Sequence, residues 1–103
     1  MARASLMSDR RLWFADGSFV AIRVWSVPEP VPPSGHVFKY RLVYIINGER
    51  IIGYDNERGK GDHRHHRGVE TPYSFHSIER LLADFLADVE AERNDPNRGN
   101  TGR

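Results

Sequence analysis

Two apolar runs, Leu12-Trp13-Phe14 and Phe19-Val20-Ala21-Ile22, flank Asp16-Gly17, and two more, Leu42 to Ile46 and Ile51-Ile52, flank Asn47-Gly48. Asp-Gly and Asn-Gly supply the positive φ angles of tight two-residue hairpin turns. The flanking runs are rich in Val, Ile, Tyr, Phe and Trp, which suit a pleated surface. The pattern predicts strands at about 4–14, 18–27, 37–46 and 49–56. Residues 57–71 read as a polar loop, and Pro72-Tyr73-Ser74-Phe75 as a short fifth strand. Ile78, Leu81, Leu82, Phe85, Leu86 and Val89 then recur at helical spacing behind Ser77, a suitable N-cap with Glu79 in the first turn. This helix has one apolar stripe, and the sheet is the only element it can cover. The fold class predicted is α+β: a four- to five-stranded, mainly antiparallel sheet with one C-terminal amphipathic helix on a face.

Four prolines between Pro28 and Pro33 cannot donate to a central ladder. That stretch reads as a stiff connector between the hairpins, with a groove-docking proline motif as the less favoured alternative. Residues 1–93 form a single domain, and the polar, aperiodic stretch 94–103 is expected to be a disordered tail. The longest apolar run, Leu42 to Ile46, is too short for a membrane span or a signal-peptide core.

Alternation assigns faces. Phe38, Tyr40, Leu42, Tyr44 and Ile46 share one face with Val20, Ile22 and Val24. A two-residue turn at Asn47-Gly48 pairs Tyr44 with Ile51, Leu42 with Gly53 and Tyr40 with Asp55. The opposite face then pairs Val43 with Ile52, Arg41 with Tyr54 and Lys39 with Asn56. The helix is assigned to the first face. The second carries Arg23, Trp25, Lys39, Arg41, Tyr54 and Asn56. A basic face with interleaved rings can pair with phosphates and stack bases. It can equally be a solvated face, or, with Val43, Ile45 and Ile52, a dimer or partner interface.

Composition narrows the chemistry. The chain of 103 residues has no cysteine, so disulfides, thiolate metal sites and cysteine nucleophiles are excluded. Its net charge of +1 hides an asymmetry: residues 1–67 hold eleven Lys/Arg against seven Asp/Glu, and residues 68–103 hold four against seven. The segment Tyr54 to His66 gathers Asp55, Glu57, Arg58, Lys60, Asp62, His63, Arg64, His65 and His66. Two histidines, one neutral and one protonated, can cleave a phosphodiester without metal, because both forms are available near neutral pH. His63 and His65 are the candidates for proton exchange. Asp55 and Asp62 would orient them, and Arg58, Lys60 and Arg64 would hold phosphate. No cofactor is expected on this reading. The alternative is a two-His, one-carboxylate set for Zn²⁺ or Mn²⁺, with Asp55 or Asp62 as the carboxylate, since His63-x-His65 puts both rings on one side of an extended chain. Phosphate gripping without catalysis, or an incidental polar connector, are further alternatives. Gly59-Lys60-Gly61 does not match a P-loop. His36 and His76 read as ordinary surface or packing residues.

The ordered set Asp16-Gly17-Ser18, Trp25, Tyr40, Tyr54-Asp55-Asn56-Glu57-Arg58-Gly59-Lys60-Gly61-Asp62-His63-Arg64-His65 and Phe75-His76-Ser77-Ile78-Glu79-Arg80-Leu81-Leu82-Ala83-Asp84-Phe85 resembles the TumE family, over about residues 4–92. The resemblance implies a prokaryotic toxin of a toxin–antitoxin pair, cytoplasmic and partnered by a helix-turn-helix antitoxin. It maps the family's Asp-His-x-His onto Asp62, His63 and His65. Joined to the residue reading, it leads to a toxin acting as a metal-independent endoribonuclease. An RNA- or protein-binding module without catalysis, and a metal-dependent nuclease or hydrolase, are the alternatives. A homodimer is compatible with all three.

Overall fold

The computed structural model describes residues 3–95. Six strands, β1 (Ser5–Trp13), β2 (Phe19–Ser26), β3 (Phe38–Ile46), β4 (Glu49–Glu57), β5 (Gly61–His66) and β6 (Val69–Pro72), precede one helix, α1 (Ile78–Arg93). The strands form one antiparallel sheet in chain order, β1-β2-β3-β4-β5-β6. The expected α+β class holds, with one strand more than the upper end of the expectation.

The extra strand comes from the stretch read as a loop. Residues 61–72 are a hairpin turning at Arg67-Gly68, with φ +49° and +86°. Both turn residues take the left-handed conformation that Asn-Gly takes at residues 47–48. Arginine carries no such signal, which hid the turn. The expected strand 72–75 is corrected with it: β6 ends at Pro72, and Tyr73 to Ser77 lead into the helix.

The second correction is one of register. The turn pairs Ile46 with Glu49 and Ile45 with Arg50, but Tyr44 then pairs with Ile52. Ile51 is a bulge, one extra residue on β4. Side chains alternate with a period of two, so every later residue of β4 changes face relative to a regular hairpin. Leu42 therefore faces Tyr54, and Arg41 faces Asp55. Tyr54 and Asn56, expected on the open basic face, lie in the covered core, and Asp55 lies on the open face.

The core is Val20, Ile22, Val24, Tyr40, Leu42, Tyr44, Ile52 and Tyr54 of the sheet with Leu81, Phe85 and Val89 of α1. Ile78, Leu81, Leu82, Phe85 and Val89 pack on the sheet as the spacing predicts, whereas Leu86 is exposed, and Ser77 caps the helix by accepting from the Arg80 amide at 3.0 Å. The helix also fastens itself through its acids. Tyr73 donates to Asp84, Tyr54 and Arg64 donate to Asp88, and Arg67 and His66 meet Glu92. Asn94 is the C-cap; the rest of the expected tail, residues 96–103, lies outside the described residues. Among the described residues no helix is long and apolar enough to cross a membrane.

Candidate functional site

The register lays two rows of facing residues across the face that α1 leaves open. One row runs Asp9, Arg23, Arg41, Asp55, His63, Pro72, a residue from each strand in order. The next runs Arg11, Ala21, Val43, Gly53, His65, Glu70. The bulge at Ile51 puts Asp55 in the first row, and the β5–β6 turn brings Glu70 beside His65.

At the centre of these rows the His63 and His65 rings meet edge to face, with centroids 4.9 Å apart. His63 Nδ1 lies 2.9 Å from the Gly61 carbonyl oxygen. Its Nε2 lies 2.5 Å from Asp55 Oδ1 and 3.3 Å from Glu70 Oε2. The His63 side chain is 4% exposed. His65 Nε2 is 3.9 Å from the same Asp55 oxygen, and its Nδ1 is 3.1 Å from an Arg50 guanidinium nitrogen. Burial first, and then Arg50, lowers the His65 pKa. Arg50 reaches across because position 53 is glycine: a Cβ there would lie 3.0 Å from Arg50 Cδ.

Cations surround this centre, most of them against an acceptor. Arg41 is 59% exposed on its side chain and 3.7 Å from Asp55 Oδ2. Arg23 pairs with Asp9 at 3.2 Å and lies over the Trp25 ring at 5.5 Å. Lys60 pairs with Glu70 at 3.2 Å, and this hydrogen bond is the main cause lowering the Glu70 pKa. Lys39 donates to the Asn56 carbonyl, and Arg58 is exposed in the β4–β5 turn.

Three candidates lie elsewhere. Asp62 sits between Gly61 and His63 in β5, so it points to the opposite face. There it meets Ser34, His36 at 2.7 Å and Tyr40 at 2.7 Å. Burial pushes its pKa up, but these hydrogen bonds outweigh burial and hold the carboxyl below its ordinary value. Asp62 thus orients His36 rather than His63 or His65. Arg64 is on the covered face, 2.7 Å from Asp88, and is corrected from a phosphate ligand to a helix anchor. Tyr54, buried, donates a hydrogen bond from its hydroxyl to Asp88 and is no stacking platform.

Sequence reasoning missed Arg50 and Glu70. Glu70 required the β5–β6 hairpin to be seen, and Arg50 required the bulge. His36 is a packing residue, as expected: it stacks on Phe75 with centroids 3.8 Å apart while its Nε2 meets Asp62.

A family profile described as toxin TumE matches residues 3–93, nearly the whole chain. No curated protein and no solved structure gave a match.

Proposed function

This chain belongs to the TumE toxin family, and we propose that it acts by cutting RNA on the open sheet face, at the Asp55, His63 and His65 cluster. A toxin of this family implies an antitoxin partner. A helix-turn-helix protein that covers this face would neutralise the toxin.

The observation that carries the reading is convergence. Two imidazoles and a carboxylate from adjacent strands meet on the face free of the helix, Asp55 and His63 in one row with Arg23 and Arg41 and His65 in the next. Phosphodiester cleavage needs a group to activate the attacking oxygen, a proton for the leaving oxygen and cations to stabilise charge on the phosphate oxygens. Arg41, half-exposed and beside the cluster, is the first phosphate ligand; Lys60 borders the other side, and Arg23 with Trp25 continues the track for the strand. Arg58 in the exposed turn extends the basic rim. The roles differ from the sequence expectation in one respect. His63 is enclosed between Asp55 and Glu70, so the cluster works as a unit instead of two free rings trading protons with the substrate.

The test is gel analysis of single-stranded RNA incubated with purified wild type, Asp55→Asn, and the His63→Ala, His65→Ala double variant. Wild type is expected to yield discrete fragments, and the variants to be slower by about 100-fold or more. Equal cleavage by all three overturns the site. Salt-sensitive RNA binding without fragments at any divalent ion or pH makes the protein a binding module.

A further inference from the structure

His63 carries a contact that its own chemistry does not satisfy. Its Nδ1 lies 2.9 Å from the Gly61 carbonyl, an acceptor that only an N–H can meet. In the neutral ring the proton is therefore on Nδ1, and Nε2 carries a lone pair. Nε2 lies 2.5 Å from Asp55 Oδ1, also an acceptor. Both atoms are sealed from solvent and neither makes a hydrogen bond. Even a proton on Nε2 would leave the ring axis off-line, since the pair fails hydrogen-bond geometry at a distance that easily permits one. Two buried acceptors that converge without a proton between them call for a cation.

We propose that Asp55, His63 and His65 form a binding site for one divalent transition ion of the zinc and manganese class. The three donor atoms all lie within 4.8 Å of one another. Donors around a tetrahedral ion with bonds of about 2.0–2.2 Å sit about 3.3 Å apart, so small side-chain shifts suffice. Two imidazoles and one carboxylate suit that class of ion and leave coordination positions open. Glu70 Oε2 lies 3.3 Å from His63 Nε2, and a pocket lined by Lys60, Asp62, His63, Glu70, Thr71 and Pro72 adjoins the cluster. Outer contacts that orient ligands are in place for two of the three: the Gly61 carbonyl on His63 Nδ1 and Arg41 near Asp55 Oδ2.

The third ligand is contested. A guanidinium has only donors, so Arg50 at 3.1 Å requires His65 Nδ1 to be an acceptor, which leaves the proton on Nε2. For His65 to ligate through Nε2 the proton must move to Nδ1 and Arg50 must swing away. Arg50 therefore competes with the ion, by its charge and by the tautomer it imposes. Replacing it with glutamine offers an amide oxygen that can accept from Nδ1–H. The site rests on the ribonuclease reading only for its use, which is to polarise a phosphate gripped by Arg41.

The test is calorimetric titration of the EDTA-treated and dialysed full chain with Zn²⁺ and, separately, Mn²⁺. One ion per chain is expected for at least one metal. Asp55→Asn and His63→Ala should each weaken binding by 10-fold or more. Arg50→Gln should tighten it by several-fold, an effect that damage to the fold cannot mimic. Absence of saturable binding by wild type overturns the proposal, as does undiminished binding by both ligand variants or weaker binding by folded Arg50→Gln. Ion binding without RNA cleavage leaves the site standing and sinks the ribonuclease reading. EDTA-resistant RNA cleavage by a chain that binds neither ion does the reverse.

Discussion

Asn56→Ala tests the bulge that builds the site. On a regular hairpin Asn56 would lie on the open face, and its loss would weaken RNA binding while sparing stability. In the observed register it is 0% exposed. Its Oδ1 accepts from the Tyr40 amide at 3.0 Å, and its Nδ2 donates to the Phe38 carbonyl at 2.8 Å and to Ser34 Oγ at 3.3 Å. Alanine leaves two backbone groups of β3 without that partner. An unsatisfied buried polar group costs about 1–3 kcal/mol, so the two together cost about 3 kcal/mol. For a domain of this size that lowers Tm by upwards of about 10 °C. Urea denaturation followed by circular dichroism measures it, with a lower midpoint and an unchanged slope expected. A loss below about 0.5 kcal/mol, the range of ordinary surface substitutions, would refute the register and with it the position of Asp55.

Three further outcomes follow from named contacts. Glu92 is 6% exposed; burial raises its pKa, but hydrogen bonds from Arg67 and His66 outweigh burial and leave it below the ordinary value. Its stabilisation is therefore present above the unfolded carboxylate pKa and lost as pH falls through the lower folded value. Glu92→Gln should destabilise by about 1 kcal/mol near pH 7, modest because Arg67 is half-exposed, and should flatten the acid limb of a stability–pH profile. Ser77→Ala removes the acceptor of the Arg80 amide and should cost about 1 kcal/mol by thermal denaturation. Gly53→Ala, at a backbone angle that alanine accepts, should push Arg50 off His65 and shift the His65 ring resonances in an NMR spectrum.

Much of the fold is legible in the sequence, for local reasons. Asn47-Gly48 announces its hairpin because both residues take positive φ; Asp16-Gly17 marks the first turn as well, but there only Gly17 does, and β1 and β2 are joined through residues 14–18 instead of a two-residue turn. The stripe from Ile78 to Val89 announces a helix and the face it buries. The β5–β6 hairpin is silent on both counts. Its turn uses arginine at φ +49°, and its strands lack apolar alternation. In β5 one face is His63 and His65 and the other is Asp62, Arg64 and His66, whose partners arrive from the connector and the helix. Polar residues satisfied by tertiary contacts read, in one dimension, as loop.

The site was legible only in part. The spacing His63-x-His65 puts both rings on one face, but the carboxylate that joins them depended on backbone events that composition does not record. Asp62, adjacent in sequence, is excluded by strand alternation, and Asp55 is admitted by one inserted residue, Ile51. The charge asymmetry changes meaning too. The helix acids do not form a separate solvated surface: Asp88 and Glu92 hold Arg64 and Arg67 on the covered side. On the open side Asp9, Asp55 and Glu70 stand against Arg23, Arg41 and Lys60. A polyanion meeting that face competes with these carboxylates for the same cations. A divalent ion held by Asp55, His63 and His65 changes that balance, because it takes the Asp55 charge and leaves Arg41 free for phosphate. Zn²⁺ or Mn²⁺ should therefore strengthen RNA binding by wild type more than by Asp55→Asn, measured by fluorescence anisotropy at fixed ionic strength. Equal strengthening in both proteins would mean that the ion acts on the RNA alone and that Asp55 does not gate Arg41.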